Sequence, residues 1–284
     1  MRRAALLLLV AAAAGCNGST PRPVATPGTA TVTLRRTKAQ VPHFFRDPER
    51  RYPRGPGALC SWTRDRFIHM AIPGSPNPCD VVFLDAAARV VEVGELPAFN
   101  EQGITSKVEA RHVLILAAET LQKDGLQVGD TVGFSADIVA AKPDPMPAIK
   151  VGGHEVHVET SHLVTERQRG LMHRPRLSKD DGMLFLYEHA DERGFWMMNT
   201  LIALDIAYFD PEGRLVNVCR MKPAADPSQG GELKAPSAAP ARFVLEVNYG
   251  WFDARGLIDA EGKPKQPVRL EISDALRKLA DNAE

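Results

Sequence analysis

Polar side chains interrupt an apolar stretch in the C-terminal part of the sequence. Residues 195–210 are mostly apolar, but the stretch contains Asn199, Thr200 and Asp205. A carboxylate inside a buried segment costs several kcal/mol unless it is hydrogen-bonded or paired. We therefore expect Asp205 either to have a fixed partner or to line a polar cleft.

An internal repeat places this stretch in the second of two copies of one domain. Residues 80–85 correspond to residues 205–210 at an offset of 125, and residues 110–114 correspond to residues 241–245 at an offset of 131. The change of offset predicts an insertion between residues 222 and 240, in a loop where extra length is tolerated. We infer a tandem duplication.

Short β-rich runs bounded by turn residues indicate the fold class. A hairpin around Gly152-Gly153 and further strands are predicted at residues 149–151, 156–158, 184–187, 206–209, 215–218 and 243–247. A capping box that starts at Thr165 predicts a short helix from Glu166 to about His173, and Ser273 is predicted to cap a last helix. These patterns predict a mainly β protein of two tandem small β-sandwich or barrel domains, each with few short helices.

Residues of about 149–262 resemble the prokaryotic family known as domain of unknown function 192 (DUF192). The resemblance rests on spaced motifs in the expected order, at residues 169–174 (RGLMHR), 182–185 (GMLF), 195–200 (FWMMNT), 204–206 (LDI) and 241–246 (ARFVLE). Met198 and Ala203 stand where the family usually has Lys and Pro. The resemblance implies a compact, largely β domain that is often exported, and it implies no activity.

The first copy resembles this family only through its repeat relation to the second. Ile115 occupies the position of Glu246, and Asp80 alone remains of the polar set. A copy that keeps apolar strands but loses polar groups has kept a fold rather than a site. We therefore place any site in the second copy, with the candidate residues Arg174, Trp196, Asn199, Thr200, Asp205 and Glu246.

Three functions are compatible with these candidates. In a binding module they converge on one cleft, where Arg174 binds a carboxylate or phosphate and Trp196 stacks on a ring or sugar. In a structural scaffold they form a closed network, in which Arg174 bridges Asp205 or Glu246. A hydrolase that uses Asp205 and Glu246 as acid and base is the third hypothesis, although no nucleophile motif accompanies the pair. A non-catalytic binding module for a small polar or saccharide ligand is the preferred interpretation.

The N-terminus predicts export and lipid attachment. Arg2 and Arg3 precede an apolar run that is too short to span a bilayer and ends at Gly15-Cys16. Residues 13–16 (AAGC) resemble a bacterial lipobox, so Cys16 is expected to carry lipid; a plain signal peptide with a chance Cys is the alternative. Asn17 is not the Asp that retains lipoproteins in the inner membrane, which favours the outer membrane, facing the periplasm.

Composition sets the remaining expectations. The chain carries 35 basic and 35 acidic residues, which gives no reason to expect nucleic acid as a partner. The expected partners are the membrane, through the lipid on Cys16, and a small polar ligand, a saccharide or an envelope protein. The predicted layout is a signal peptide (1–15), a tether (16–29), the first copy (30–140), a Pro-rich linker (141–148) and the second copy with its C-terminal helix (149–284).

The cysteines predict no metal site. Cys60 and Cys79 could form a disulfide in an oxidising compartment or could remain buried free thiols, and both alternatives stay open. Cys219 is expected to be a buried strand residue. Because neither a CxxC motif nor a His pair at ligand spacing occurs, no metal and no cofactor is predicted.

Overall fold

The computed structural model describes residues 28–44, 57–72, 74–134, 146–232 and 234–283. The predicted signal peptide, Cys16 and most of the tether and of the linker lie outside these residues. The first half denotes the described residues up to 134 below, and the second half denotes those from 146 onward. No helix within these ranges is long and apolar enough to cross a membrane.

The first half consists of nine strands and one short helix. These are β1 Gly28–Thr33, β2 Lys38–Phe44, β3 Ala58–Arg66, β4 His69–Met70, β5 Cys79–Leu84, β6 Val90–Leu96, β7 Ile104–Thr105, β8 Ala110–Ala117, α1 Thr120–Asp124 and β9 Gly133–Phe134. Seven of the strands form one sheet in the order β6-β5-β8-β3-β2-β1-β9, and β4 pairs with β7.

The second half repeats this plan and adds a C-terminal helix. Its elements are β10 Ala148–Val151, β11 His154–Ser161, α2 Val164–Arg169, β12 Asp181–Asp191, β13 Gly194–Trp196, β14 Leu204–Phe209, β15 Leu215–Met221, β16 Lys234–Pro236, β17 Ala241–Asn248, β18 Leu270–Glu271 and α3 Asp274–Ala280, with 3₁₀ helices at Pro227–Glu232 and Asp253–Arg255. Its seven-stranded sheet has the order β15-β14-β17-β12-β11-β10-β18, and β13 pairs with β16.

The two sheets share their strand order and also their register. Each contains one parallel pair, β2 with β3 and β11 with β12, while its other pairs are antiparallel. In the first half Ile115 lies opposite Ala58 and Val81, and in the second Glu246 lies opposite Met183 and Ile206. These positions are related by the offsets of 125 and 131 that the sequence repeat predicts.

Apolar side chains cover both faces of each sheet. In the second half one face carries the core residues Leu184, Phe209, Phe243, Leu245 and Val247, and the other carries Phe185, Ile206, Tyr208 and Val244. Because successive side chains in a strand point to opposite faces, the register decides which core each residue joins. The predicted mainly β fold is confirmed, and the curled sheets fit the sandwich or barrel class.

The predicted turns and caps are mostly confirmed, with one helix in error. The predicted hairpin has its turn at Gly152 and Gly153, which both have positive φ. Ser273 caps α3, because its Oγ accepts from Leu276 N at 3.3 Å. Helix α2, however, begins at Val164 and ends at Arg169. Glu166, rather than Gln168, closes its first turn, because Glu166 Oε2 accepts from the backbone N–H groups of residues 162 and 163.

The disulfide alternative for Cys60 and Cys79 is wrong, because no bond joins these two buried cysteines. Cys60 lies opposite Val113 of β8, whereas Cys79 lies opposite Ala117 of the same strand. Strand β8 therefore separates the two cysteines, and adjacent strands are about 4.8 Å apart. Two strand spacings exceed the Cα separation that a disulfide can span. Cys219 lies on β15 and is only partly buried.

Candidate functional site

Glu159 of β11 lies at the centre of a buried charge network between the two halves. Arg174 donates from Nη1 and Nη2 to its two carboxylate oxygens, at 2.8 and 2.7 Å. Arg66, at the end of β3 in the first half, donates from Nη2 to Glu159 Oε1. All three residues are at most 5% exposed, so one carboxylate is shared by guanidinium groups from both halves.

Asp181 extends this network at the start of β12. Arg64 forms an ion pair with Asp181, and Arg66 Nε lies 3.4 Å from Asp181 Oδ2. Asp181 is fully buried. Since a buried charge is normally paired, the two arginines of β3 and the two carboxylates of the second half stabilise each other across the junction.

Further polar contacts surround these ion pairs. Phe67 N donates to Ser178 Oγ at 3.0 Å, and Ser178 Oγ donates to Glu109 Oε1 at 2.8 Å. Arg176 Nη1 donates to Lys107 O at 2.6 Å, and its guanidinium lies 5.3 Å from the ring centroid of Phe67. The two halves are thus joined by a polar junction as well as by the chain between them.

Glu246 of β17 lies on the same face of the sheet as Glu159. Met183 pairs with Glu159 on one side and with Glu246 on the other, so the three side chains form one row. Glu246 Oε2 is buried and has no hydrogen-bond partner among the described residues. Burial raises the pKa of Glu246 to about 8, although the nearby Arg174 acts in the opposite direction. At neutral pH this side chain is a protonated carboxylic acid.

His69 brings an imidazole from the first half to the same junction. Its Nδ1 lies 2.8 Å from Thr105 Oγ1, while its Nε2 is buried and has no partner in the described part of the chain. Burial lowers the pKa of His69 well below its usual value, and the positive charges of Arg174 and Arg169 lower it further. The imidazole is therefore neutral.

Asp205 lies on the opposite face of the sheet from Glu246. It pairs with Val247, whereas Glu246 pairs with Ile206, and side chains directly opposite each other share a face. Its carboxylate accepts from Gly250 N at 3.0 Å and from Phe252 N at 3.1 Å. Burial raises the pKa of Asp205, and these two donors act against that shift.

The same contact occurs in the first half and explains why Asp80 remains there. Asp80 Oδ2 accepts from Leu121 N at 2.8 Å. Leu121 is the counterpart of Phe252 at the offset of 131. Each aspartate therefore fixes the loop that follows the neighbouring strand, β8 in the first half and β17 in the second. This role belongs to the fold and needs no ligand.

The remaining candidates lie in a turn or at the surface. Asn199 has a φ of 52°, and its N–H donates to Pro227 O at 2.7 Å. Thr200 Oγ1 donates to Met198 O at 3.3 Å, which closes the same turn. Trp196 is 42% exposed on β13, with Lys234 Nζ 5.4 Å from its ring centroid. The six predicted residues thus do not converge on one cleft.

Two sequence expectations about Arg174 and Asp205 need correction. Arg174 bridges neither Asp205 nor Glu246, because Glu159 of β11 already accepts from both of its terminal nitrogens. Asp205 points to the other face of the sheet and cannot act with Glu246 as an acid and base pair. Among the described residues, no three His, Cys, Asp or Glu side chains are close enough to hold a metal ion.

Sequence reasoning missed Glu159, Asp181, Arg64, Arg66 and His69. A signal was present on β3, where the charged residues 64–66 stand between the apolar residues Trp62 and Phe67. The same criterion that singled out Asp205 applies to Arg66. Glu159 has no such signal, because it follows Val156 and Val158 in the alternation expected of a strand with one polar face.

The fold and the site together define a mainly β protein whose two similar halves meet at a closed polar junction. Residues 148–261 match the family model of DUF192, described as uncharacterised ACR, and the chain belongs to this family through that region. The match lies within the second half, so the relation of the first half to the family stays a prediction. No activity has been assigned to the family.

Solved structures with similar sequences add no assigned activity. A protein of unknown function from Novosphingobium aromaticivorans DSM 12444 is 30% identical, with a TM-score of 0.37; the match covers 49% of this chain and 99% of that protein. A proposed transcription regulator from Sinorhizobium meliloti 1021 is 27% identical, with a TM-score of 0.36; the match covers 44% of this chain and 92% of that protein. No curated protein matches the chain.

Proposed function

We propose that this protein is a non-catalytic, lipid-anchored protein of the bacterial cell envelope, in which the two β halves act as one rigid scaffold. The observation that carries the proposal is the position of Glu159 between Arg174 of its own half and Arg66 of the other. A scaffold must keep its surfaces in a fixed relation, and a shared buried carboxylate provides such a constraint.

The physical basis is the cost of separating buried charges. Removing one partner of a buried ion pair destabilises a protein by about 3–5 kcal/mol, because the remaining charge is left without compensation. Movement of one half away from the other would break the contacts of Arg66 with Glu159 and with Asp181 together. The geometry therefore favours a single arrangement of the halves over independent motion.

The same geometry speaks against the two other hypotheses for this region. Arg174 is 2% exposed and its terminal nitrogens are engaged by Glu159, so it is poorly placed to bind an external anion. Asp205 and Glu246 point to opposite faces, which argues against a hydrolase that needs both in one cleft. Binding of a ligand elsewhere on the second half is compatible with a scaffold.

Location in the envelope is supported by the N-terminal sequence. Cys16 follows a charged start and a short apolar run, and the acyl chains added there would bind the bilayer durably, since each buried CH₂ contributes about 0.8 kcal/mol. Asn17 favours the outer membrane. The expected partners are the membrane, through this lipid, and an envelope protein that binds the surface of the scaffold; nucleic acid is not expected.

Calorimetry of the full chain in detergent tests the scaffold. The two halves of the wild type should unfold in one cooperative transition, and Arg66→Ala should split or broaden it because the halves lose their buried connection. The matched control is Arg111→Ala, which removes an arginine whose partner, Asp65, lies in the same half. Separate transitions in the wild type, or the same splitting in the control, would refute a rigid two-half scaffold.

A further inference from the structure

Two surface grooves occupy equivalent positions in the two halves. The groove of the second half has a volume of about 590 Å³ and includes Arg220, Lys222 and Tyr249 in its lining. The groove of the first half, about 420 Å³, is lined at the corresponding positions by Glu95, Pro97 and Ala118. The two grooves are thus formed by equivalent strands and turns of the two halves, but the side chains that can contact a ligand differ between them.

Tyr249 presents an aromatic ring at the groove of the second half. The side chain belongs to a residue that is 45% exposed, and its backbone is fixed because Tyr249 N donates to Ala203 O at 3.1 Å. The next residue, Gly250, is held by Asp205. An exposed ring on an anchored backbone is a suitable platform for stacking, at little cost in conformational entropy.

Of the two basic side chains that line the groove, Arg220 is paired within the protein and Lys222 is available to bind a ligand. Arg220 Nη1 pairs with Asp253 at 2.6 Å, and its Nη2 donates to backbone carbonyl groups. Lys222 Nζ lies 5.9 Å from the ring centroid of Tyr249 and forms no ion pair within the described ranges. Gln229 and Glu232 also line the groove, and hydrogen bonds of their side chains to other described residues are absent.

We propose that this groove, termed the Tyr249 groove and formed by Lys222, Gln229, Glu232 and Tyr249, binds a sugar that carries a carboxylate. The C–H face of the sugar ring stacks on Tyr249, as apolar ring faces do on aromatic side chains. The ammonium group of Lys222 binds the carboxylate, and the side chains of Gln229 and Glu232 bind hydroxyl groups. A volume of about 590 Å³ suits a ligand of one or two sugar rings.

The first half lacks the two groups on which this binding depends. Pro97 stands at the position of Lys222, and Ala118 stands at the position of Tyr249. Neither residue can supply a positive charge or an aromatic face. Of the two grooves that the described residues form, only the one in the second half therefore has the groups of this sugar site. The proposal is independent of the rigid scaffold.

Isothermal titration of the full chain in detergent with D-glucuronate, and in parallel with D-glucose, tests the site. Wild type should bind glucuronate more tightly than glucose. Tyr249→Ala should weaken glucuronate binding about tenfold, the size of a lost aromatic contact. Lys222→Gln should remove the preference for glucuronate over glucose. Circular dichroism shows whether each variant is folded. If Tyr249→Ala does not fold, the binding measurements on Lys222→Gln test the proposal.

The matched control is Trp196→Ala, because Trp196 is another exposed ring with a lysine near its face but does not line the groove. The affinity of Trp196→Ala for glucuronate should equal that of the wild type. Failure of the wild type to bind glucuronate would overturn the proposal. So would unchanged binding by folded Tyr249→Ala and Lys222→Gln, or equal losses in Trp196→Ala and Tyr249→Ala.

Discussion

Asp205 and Glu246 lie on neighbouring strands and point to opposite faces of the same sheet. Asp205 is opposite Val247 on β17, and Glu246 is opposite Ile206 on β14. Asp205 accepts two backbone hydrogen bonds in one core, whereas Glu246 lies protonated beside the junction of the two halves. Two carboxylates that look like a pair in the sequence therefore have separate roles, and each role can be tested by itself.

Asp205→Ala should destabilise the protein by about 2–4 kcal/mol, because the backbone N–H groups of Gly250 and Phe252 lose their acceptor. Hydrogen exchange followed by NMR should show faster exchange at Gly250 and Phe252, whose amides now donate to this carboxylate. Asp205→Asn, which keeps one acceptor oxygen, should give a smaller loss. Unchanged exchange at both amides would show that the aspartate does not anchor this loop.

Glu246 should make stability depend on pH in the neutral range. Its pKa is about 8 in the folded chain against 4.5 ordinarily, so the folded state binds one more proton than the unfolded state between these values. The contribution of Glu246 to the free energy of unfolding is complete below pH 4.5 and is lost as the pH rises towards 8, by about 1.4 kcal/mol per pH unit.

The check is urea denaturation of wild type and Glu246→Gln at several pH values from 5 to 8. Glutamine is neutral at every pH, so the wild type should lose stability relative to the variant as the pH rises. Burial also raises the pKa of Asp205. Because Asp205 and its two backbone donors are present in both proteins, its titration cancels in the difference between the two curves. Parallel curves for wild type and Glu246→Gln would mean that Glu246 titrates normally.

Cys16→Ser should release the protein from the membrane. Cells that express the wild-type chain and are fed labelled palmitate should incorporate the label, and the protein should fractionate with the outer membrane. The Cys16→Ser variant should lose both properties, since no acylated side chain remains at the predicted lipobox. Cys219→Ser serves as the control and should keep the label. Label retained by Cys16→Ser would place the lipid at another residue, and an unlabelled wild type would contradict lipidation.

The fold could be predicted from local signals. Gly152-Gly153, Ser273 and the β-rich runs mark turns, a cap and strands with neighbours that are close in sequence, and the offsets of 125 and 131 recur in the strand register. The predicted start of helix α2 is two residues too late. The sequence pattern indicates a capping box that starts at Thr165, but Glu166 instead closes the turn at residue 163. Competing caps a few residues apart are not distinguished by the sequence pattern alone.

The site could be predicted only in part, because its contacts are distant in sequence. Arg66 and Glu159 are 93 residues apart and belong to different halves. The scaffold hypothesis gave Arg174 an acidic partner within the chain, Asp205 or Glu246, whereas its partner in the structure is Glu159 of β11. That partner depends on which strand lies beside β12, and the strand order is not encoded in any local motif. The opposite orientation of Asp205 and Glu246 likewise follows from register, where a shift of one residue exchanges the two faces.

A double-mutant cycle between Arg66 and Glu159 tests the rigid junction most directly. Glu159→Ala alone should cost about 3–5 kcal/mol of unfolding free energy, because two buried guanidinium groups lose their carboxylate. Arg66→Ala in that background should cost less than in the wild type, with a coupling energy of about 1–3 kcal/mol. The control cycle of Arg111 and Asp65, an exposed pair within one half, should give less than about 1 kcal/mol.

Urea denaturation of the four proteins of each cycle supplies the required free energies. The account predicts strong coupling between Arg66 and Glu159 and weak coupling in the control. Additive effects of Arg66→Ala and Glu159→Ala would contradict it, because the two halves would then be held together by something other than their shared buried charges.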